Sequence, residues 1–132
     1  MDLCSGMGAP SRTVLVADDD PGHLRLLKLV LGAYKFEVIS VENGHDALTY
    51  LQSHTPDMMI LDVNMPFMSG LDVCSRARRL NRLKSVPVII MTALTDEATR
   101  HKADQAGANL FLSKPLTGTD LRGAIGSLLT PG

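Results

Sequence analysis

With 132 residues, 45% hydrophobic and 20% charged, the chain suits one globular domain that buries a core without disulfide or structural metal. A net charge of −1 argues against non-specific nucleic-acid binding, so no direct nucleic-acid partner is expected. Two cysteines, Cys4 and Cys74, with no CxxC suit a reducing cytoplasm, and no apolar run approaches the ~18 residues of a membrane span.

Residues 1–11 lack the basic start and apolar core of a signal peptide and are expected to form a flexible tail, with a single domain over 12–130. Thr13 to Ala17 reads as a strand that runs into Asp18, Asp19 and Asp20. Pro21 fits the first turn of a helix carrying Leu24, Leu27, Val30, Leu31 and Tyr34 at helical spacing. Phe36 to Val41 is a second strand, and its central Glu37 suits a sheet edge. Asn43 and Gly44 open a helix that buries Ala47, Leu48 and Leu51, and Pro56 closes it. Met58 to Asp62 is an apolar strand ending on a carboxylate, followed by a loop from Met65 to Gly70 and a helix with Leu71, Cys74 and Ala77. Val86 to Met91 is a fourth strand, ending on Thr92. Asp96 to Ala106 is a helix whose apolar residues are mostly alanines, so it should be the most mobile of the five. After Gly107, Leu110 to Ser113 runs into Lys114 and Pro115, and Leu121, Ala124, Ile125, Leu128 and Leu129 stripe the last helix.

This alternation predicts an α/β fold with a parallel sheet, helices on both faces and right-handed crossovers. Ligands of such sheets bind at the carboxyl ends of the strands. Three carboxylates, a hydroxyl and an ammonium should therefore meet at one rim. Asp18, Asp19 and Asp62 would repel one another there unless a proton or a divalent cation intervened. Oxygen donors alone favour Mg²⁺, Mn²⁺ or Ca²⁺. A carboxylate is also a competent nucleophile toward phosphorus, and Lys114 and Thr92 could hold phosphoryl oxygens. Each residue has a plain alternative, an Asx turn for Asp62, a helix cap for Asp20, a surface lysine for Lys114. Their conjunction at successive strand ends points to the making and breaking of an aspartyl phosphate.

The segments VLVADDDP (14–21), ILDVNMPFMSG (60–70), MTA (91–93) and AGANLFLSKP (106–115) together resemble the response-regulator receiver domain of two-component signalling. The resemblance covers roughly residues 12–129. It implies a doubly wound, flavodoxin-like sheet of five parallel strands in order 2-1-3-4-5 with five helices. It implies Asp62 as phosphoacceptor. Mg²⁺ would be bound by Asp19, Asp62 and the Asn64 carbonyl, with Asp18 acting largely through water. Thr92, Ala93 and Lys114 would hold the phosphoryl group, and Thr92 and Phe111 would form the switch. The Lys114–Pro115 bond is often cis in the family. A histidine kinase or histidine phosphotransfer protein would donate. The output face would be the fourth helix, fifth strand and fifth helix, which could also form a phosphorylation-dependent dimer.

The chain departs from the family pattern at three places. Phe111 stands where tyrosine is frequent, so the switch lacks a hydroxyl. Ser69 replaces a common aspartate, with little effect expected. Leu94 is apolar where many members are polar; with Asn64 it flanks the approach of the hydrolytic water, so a long-lived phosphoryl group is expected. The basic run Ser75 to Lys84 reads as a solvated helix rather than a docking patch, and His23 as a surface histidine. The chain is read as a non-enzyme, stand-alone or excised from a hybrid histidine kinase or longer regulator. The competing enzymatic reading is a haloacid-dehalogenase-type phosphatase using Asp18 and Asp20.

Overall fold

A computed structural model of the protein describes residues 12–93, 96–114 and 116–129. Its elements run β1 (Arg12–Ala17), α1 (Pro21–Ala33), β2 (Phe36–Val41), α2 (Gly44–Leu51), β3 (Met58–Asp62), α3 (Gly70–Ala77), a 3₁₀ turn (Asn81–Leu83), β4 (Val88–Thr92), α4 (Glu97–Ala106), β5 (Leu110–Ser113) and α5 (Gly118–Leu129). All strand pairs are parallel, in the order β2-β1-β3-β4-β5. The order reverses between β1 and β3, which opens a crevice beyond their carboxyl ends.

The central strands β3 and β4 are buried along their whole length, which is why they read as unbroken apolar runs. Alternate side chains still sort to two cores. Leu15, Ala17, Met59, Leu61 and Ile90 pack with Ala47 and Leu51 of α2, Val73 and Cys74 of α3 and Ala103 of α4. Val14, Val16, Ile60, Ile89 and Met91 pack with Leu27, Val30 and Leu31 of α1 and Leu121 and Ile125 of α5. Of α4 only Ala103 and Ala106 are buried, as its alanine composition implied. Val86 and Pro87 precede β4 rather than start it; the Pro87 carbonyl accepts from the Met59 N–H at 2.9 Å.

Side-chain caps start the first four helices. Asp20, Asn43, Ser69 and Asp96 accept from backbone N–H groups of α1, α2, α3 and α4. Ser69 Oγ accepts from the Asp72 N–H at 3.3 Å, a capping role that aspartate can also fill. Gly107 ends α4 at φ 95°, a conformation that favours glycine.

The basic run is exposed at Arg76, Arg79, Arg82 and Lys84, as expected, but it is not one helix. α3 stops at Ala77, and two of the arginines bind backbone. Arg78 donates to the carbonyls of Gly107 (3.0 Å), Leu83 (2.8 Å) and Val86 (2.7 Å) and to Asn109 Oδ1 (2.9 Å). Arg82 donates to His54 O and Thr55 Oγ1 at 2.8 and 2.9 Å and also reaches Leu51 O. Arg78 thereby ties the end of α4 and the approach to β4 onto α3. Arg78→Ala should cost about 3 kcal/mol in urea denaturation, because it strands several part-buried acceptors. Arg78→Lys should recover little, since an ammonium lacks the planar fork.

Candidate functional site

The rim at the carboxyl ends of β1, β3, β4 and β5 holds the predicted cluster. Asp18 follows β1 and is fully buried, its N–H bonded to Val41 O at 3.1 Å. Its Oδ1 accepts from the Asp20 N–H at 2.9 Å, which bends the chain toward α1. Asp62 closes β3 with 2% exposure, and its Oδ1 accepts from the Asn64 N–H at 3.1 Å. Carboxylate oxygens of Asp18, Asp19 and Asp62 lie within 4.8 Å of one another. Thr92 closes β4 and is fully buried, with exposed Ala93 next to it.

Lys114 arrives from β5. Its N–H bonds Thr92 O at 2.9 Å, and its Nζ donates to Asp62 Oδ2 at 2.7 Å and lies 3.2 Å from Asp18 Oδ2. Burial works against the ammonium, but the hydrogen bond and charge of Asp62, with Asp18 behind them, outweigh it and hold Lys114 above the ordinary lysine value. Burial also pushes Asp62 above the usual carboxylate range, although Lys114 and the Asn64 N–H pull the other way. One ammonium thus leaves a buried carboxylate pair under-neutralised. Buried Asp18 leans on the same ammonium, with Oδ2 3.2 Å and Oδ1 3.4 Å from Lys114 Nζ, so a single positive charge is shared between two carboxylates. A hard dication beside these oxygens fits that deficit.

These groups border a cavity of about 380 Å³ lined by Asp19, Asp20, His23, Asp62, Asn64, Ala93 and Lys114. Asp20 turns to α1 instead, with its Oδ1 on the Gly22 N–H at 2.8 Å, so it serves as a cap. Half-buried Phe111 lies on β5 with the Arg100 guanidinium of α4 4.8 Å above its ring, a contact not read from the sequence. His23, read as a surface residue, instead lines the cavity. The missed signal was its place in the first turn of a helix whose cap already touches the rim. Leu94, Pro115 and the Leu129 side chain, like 1–11 and 130–132, lie outside the described residues.

The model of the response regulator receiver domain family matches residues 14–126. The chain belongs to that family. Receiver domains are the phosphoacceptor signalling domains of two-component response regulators. The transcriptional regulatory protein KdpE of Mycobacterium tuberculosis is 39% identical over 102 residues, 77% of this chain and 44% of that protein. The receiver domain of a signal transduction histidine kinase from Syntrophus aciditrophicus superposes with a TM-score of 0.81 at 30% identity, covering 90% of each chain. Chemotaxis response regulator CheY4 of Vibrio cholerae gives 0.84 at 27% identity, covering 91% of this chain and all (100%) of its own. The receiver chain spans less than half of several curated relatives: 17% of RcaC from Microchaete diplosiphon, 48% of ycf27 from Cyanophora paradoxa. Among the described residues no helix is long and apolar enough to cross a membrane.

Proposed function

We propose that the chain is a Mg²⁺-dependent phosphorylation switch whose acceptor is Asp62. The observation that carries this is the single rim where Asp18, Asp19, Asp62, Thr92 and Lys114 meet. A phosphohistidine on a kinase or phosphotransfer protein donates. An Asp62 oxygen forms a bond to phosphorus as the phosphorus–nitrogen bond of the donor breaks, and the electron pair leaves with the ring nitrogen.

Asp19, Asp62 and the Asn64 carbonyl would hold Mg²⁺, with Asp18 acting through water. When bound, the ion offsets the carboxylate charge and that of a phosphoryl oxygen. Lys114 exchanges part of its contact with Asp62 for a second phosphoryl oxygen. The Thr92 hydroxyl and the Ala93 N–H take the third. Pulling Thr92 and Lys114 toward phosphorus moves the ends of β4 and β5. Phe111 and Arg100 carry that displacement to α4, so the output is the α4–β5–α5 face. Phe111 repacks without a hydroxyl to anchor it. Leu94 slows hydrolysis because an isobutyl group cannot orient the attacking water. The phosphodonor places the domain in the cytoplasm.

The protein should take up phosphoryl from acetyl phosphate in Mg²⁺ and essentially none after chelation, read as a mass increase of the intact chain. Equal uptake with and without the metal would refute the role given to the carboxylate cluster.

A further inference from the structure

Helix α4 is fastened unevenly. Its C-terminal end is pinned to α3, where Cys74 Sγ donates to Ala106 O at 3.2 Å and Arg78 Nε to Gly107 O at 3.0 Å. Ala103 and Ala106 are its buried residues, and none of residues 97–102 is buried. Across that free half, the Arg100 guanidinium lies 4.8 Å from the centroid of the Phe111 ring on β5. Phe111 is half-buried against the core under α3 and α4, and with Arg100 it borders a cavity of about 220 Å³ between α4 and β5. Without a hydroxyl, the ring takes its hold from packing and from the cation above it.

We propose that Arg100 is a positioning residue that latches the N-terminal half of α4 onto Phe111, so that the contact favours the conformation in which Lys114 holds Asp62. This rests on the Asp62 switch reading above. The latch is closed while Lys114 Nζ is committed to the carboxylates, 2.7 Å from Asp62 Oδ2 and 3.2 Å from Asp18 Oδ2. Phe111 pairs with Ile90 of β4, two residues before Thr92, so drawing Thr92 and Lys114 toward a phosphoryl group moves the backbone under the ring. A cation–π contact needs its charge within about 6 Å of the ring centroid, and that displacement weakens it. A contact made in one conformation and lost in the other biases the equilibrium by its own strength. Arg100 is exposed, where such a contact changes an equilibrium constant about two- to fivefold. That is light enough for phosphorylation to open, and α4 then pivots about its pinned end.

Titration of the whole chain with beryllofluoride in Mg²⁺ tests this, alongside amide exchange. Arg100→Leu keeps an aliphatic side chain over the ring and removes the charge. It should tighten beryllofluoride binding about two- to fivefold and lower the protection of residues 97–102, with residues 103–106 unchanged. Arg100→Lys, a cation that stacks less well, should fall between the two. In Phe111→Leu the effect of Arg100→Leu should vanish, so that the double variant binds beryllofluoride as Phe111→Leu alone does. A merely structural contact would move the urea midpoint and leave beryllofluoride affinity where it was. Unchanged or weaker binding by Arg100→Leu, or the same effect of Arg100→Leu with and without the ring, would overturn the latch while leaving the Asp62 site standing. Failure of the unaltered chain to bind beryllofluoride would overturn both.

Discussion

Gly70→Ala should destabilise the domain by about 3 kcal/mol and slow phosphoryl uptake at least about tenfold. Gly70 opens α3 directly behind the acceptor strand. A Cβ there would lie 2.3 Å from Asp62 O, 2.9 Å from Asp62 C and 3.0 Å from Leu61 Cβ. Two of those atoms belong to backbone, so no side-chain rotation relieves the clash, and β3 or α3 must move. A shift of either displaces the Asp62 carboxylate from Lys114, a contact now at 2.7 Å. Gly123→Ala is the matched control. Gly123 lies within α5, and a Cβ there meets nothing within 4 Å. That change should stabilise the domain by about 0.5–1 kcal/mol through the unfolded chain. Urea denaturation of the two variants should give midpoints on opposite sides of the unaltered protein. A neutral Gly70→Ala would mean that the approach of α3 to β3 is looser than the structure has it.

Lys114→Ala should have the second large effect, and it should depend on metal. Without Mg²⁺ the variant leaves Asp18 and Asp62 buried with their nearest cation removed, at a cost of about 3 kcal/mol. With Mg²⁺ most of that loss should return, because the carboxylates hold the ion. Signalling should not return. Lys114 is bonded to Thr92 O at 2.9 Å, and Phe111, three residues earlier on β5, carries Arg100 of α4 over its ring. Beryllofluoride, a phosphoryl mimic, should change amide-exchange protection across residues 97–106 in the unaltered protein and leave the variant unresponsive. A variant α4 that responds normally would remove Lys114 from the coupling.

Most of the fold was legible because the chain is locally consistent. The apolar runs 36–41, 58–62 and 110–113 matched β2, β3 and β5 residue for residue. Asp18, Asp62, Thr92 and Lys114 were legible as one cluster because each ends or directly follows a strand of one parallel sheet. What escaped the sequence depended on side-chain direction. Arg78 read as solvated with its neighbours because spacing cannot show that it faces the carbonyls of Leu83, Val86 and Gly107. His23 read as exposed because the turn made by Asp20 sets where α1 points. Phe111 was placed as a switch residue, but its partner Arg100 lies on another element and no local period links them.

Locating the phosphoryl group tests the central claim most directly. The protein would be incubated with acetyl phosphate and Mg²⁺ and reduced with borohydride, which converts an aspartyl phosphate to homoserine. Peptide mass spectrometry then identifies the modified residue. Asp62 should carry the modification, with none on Asp18, Asp19 or Asp20 and none anywhere in Asp62→Ala. Homoserine at Asp18, or phosphoryl uptake by Asp62→Ala equal to that of the unaltered protein, would contradict the assignment.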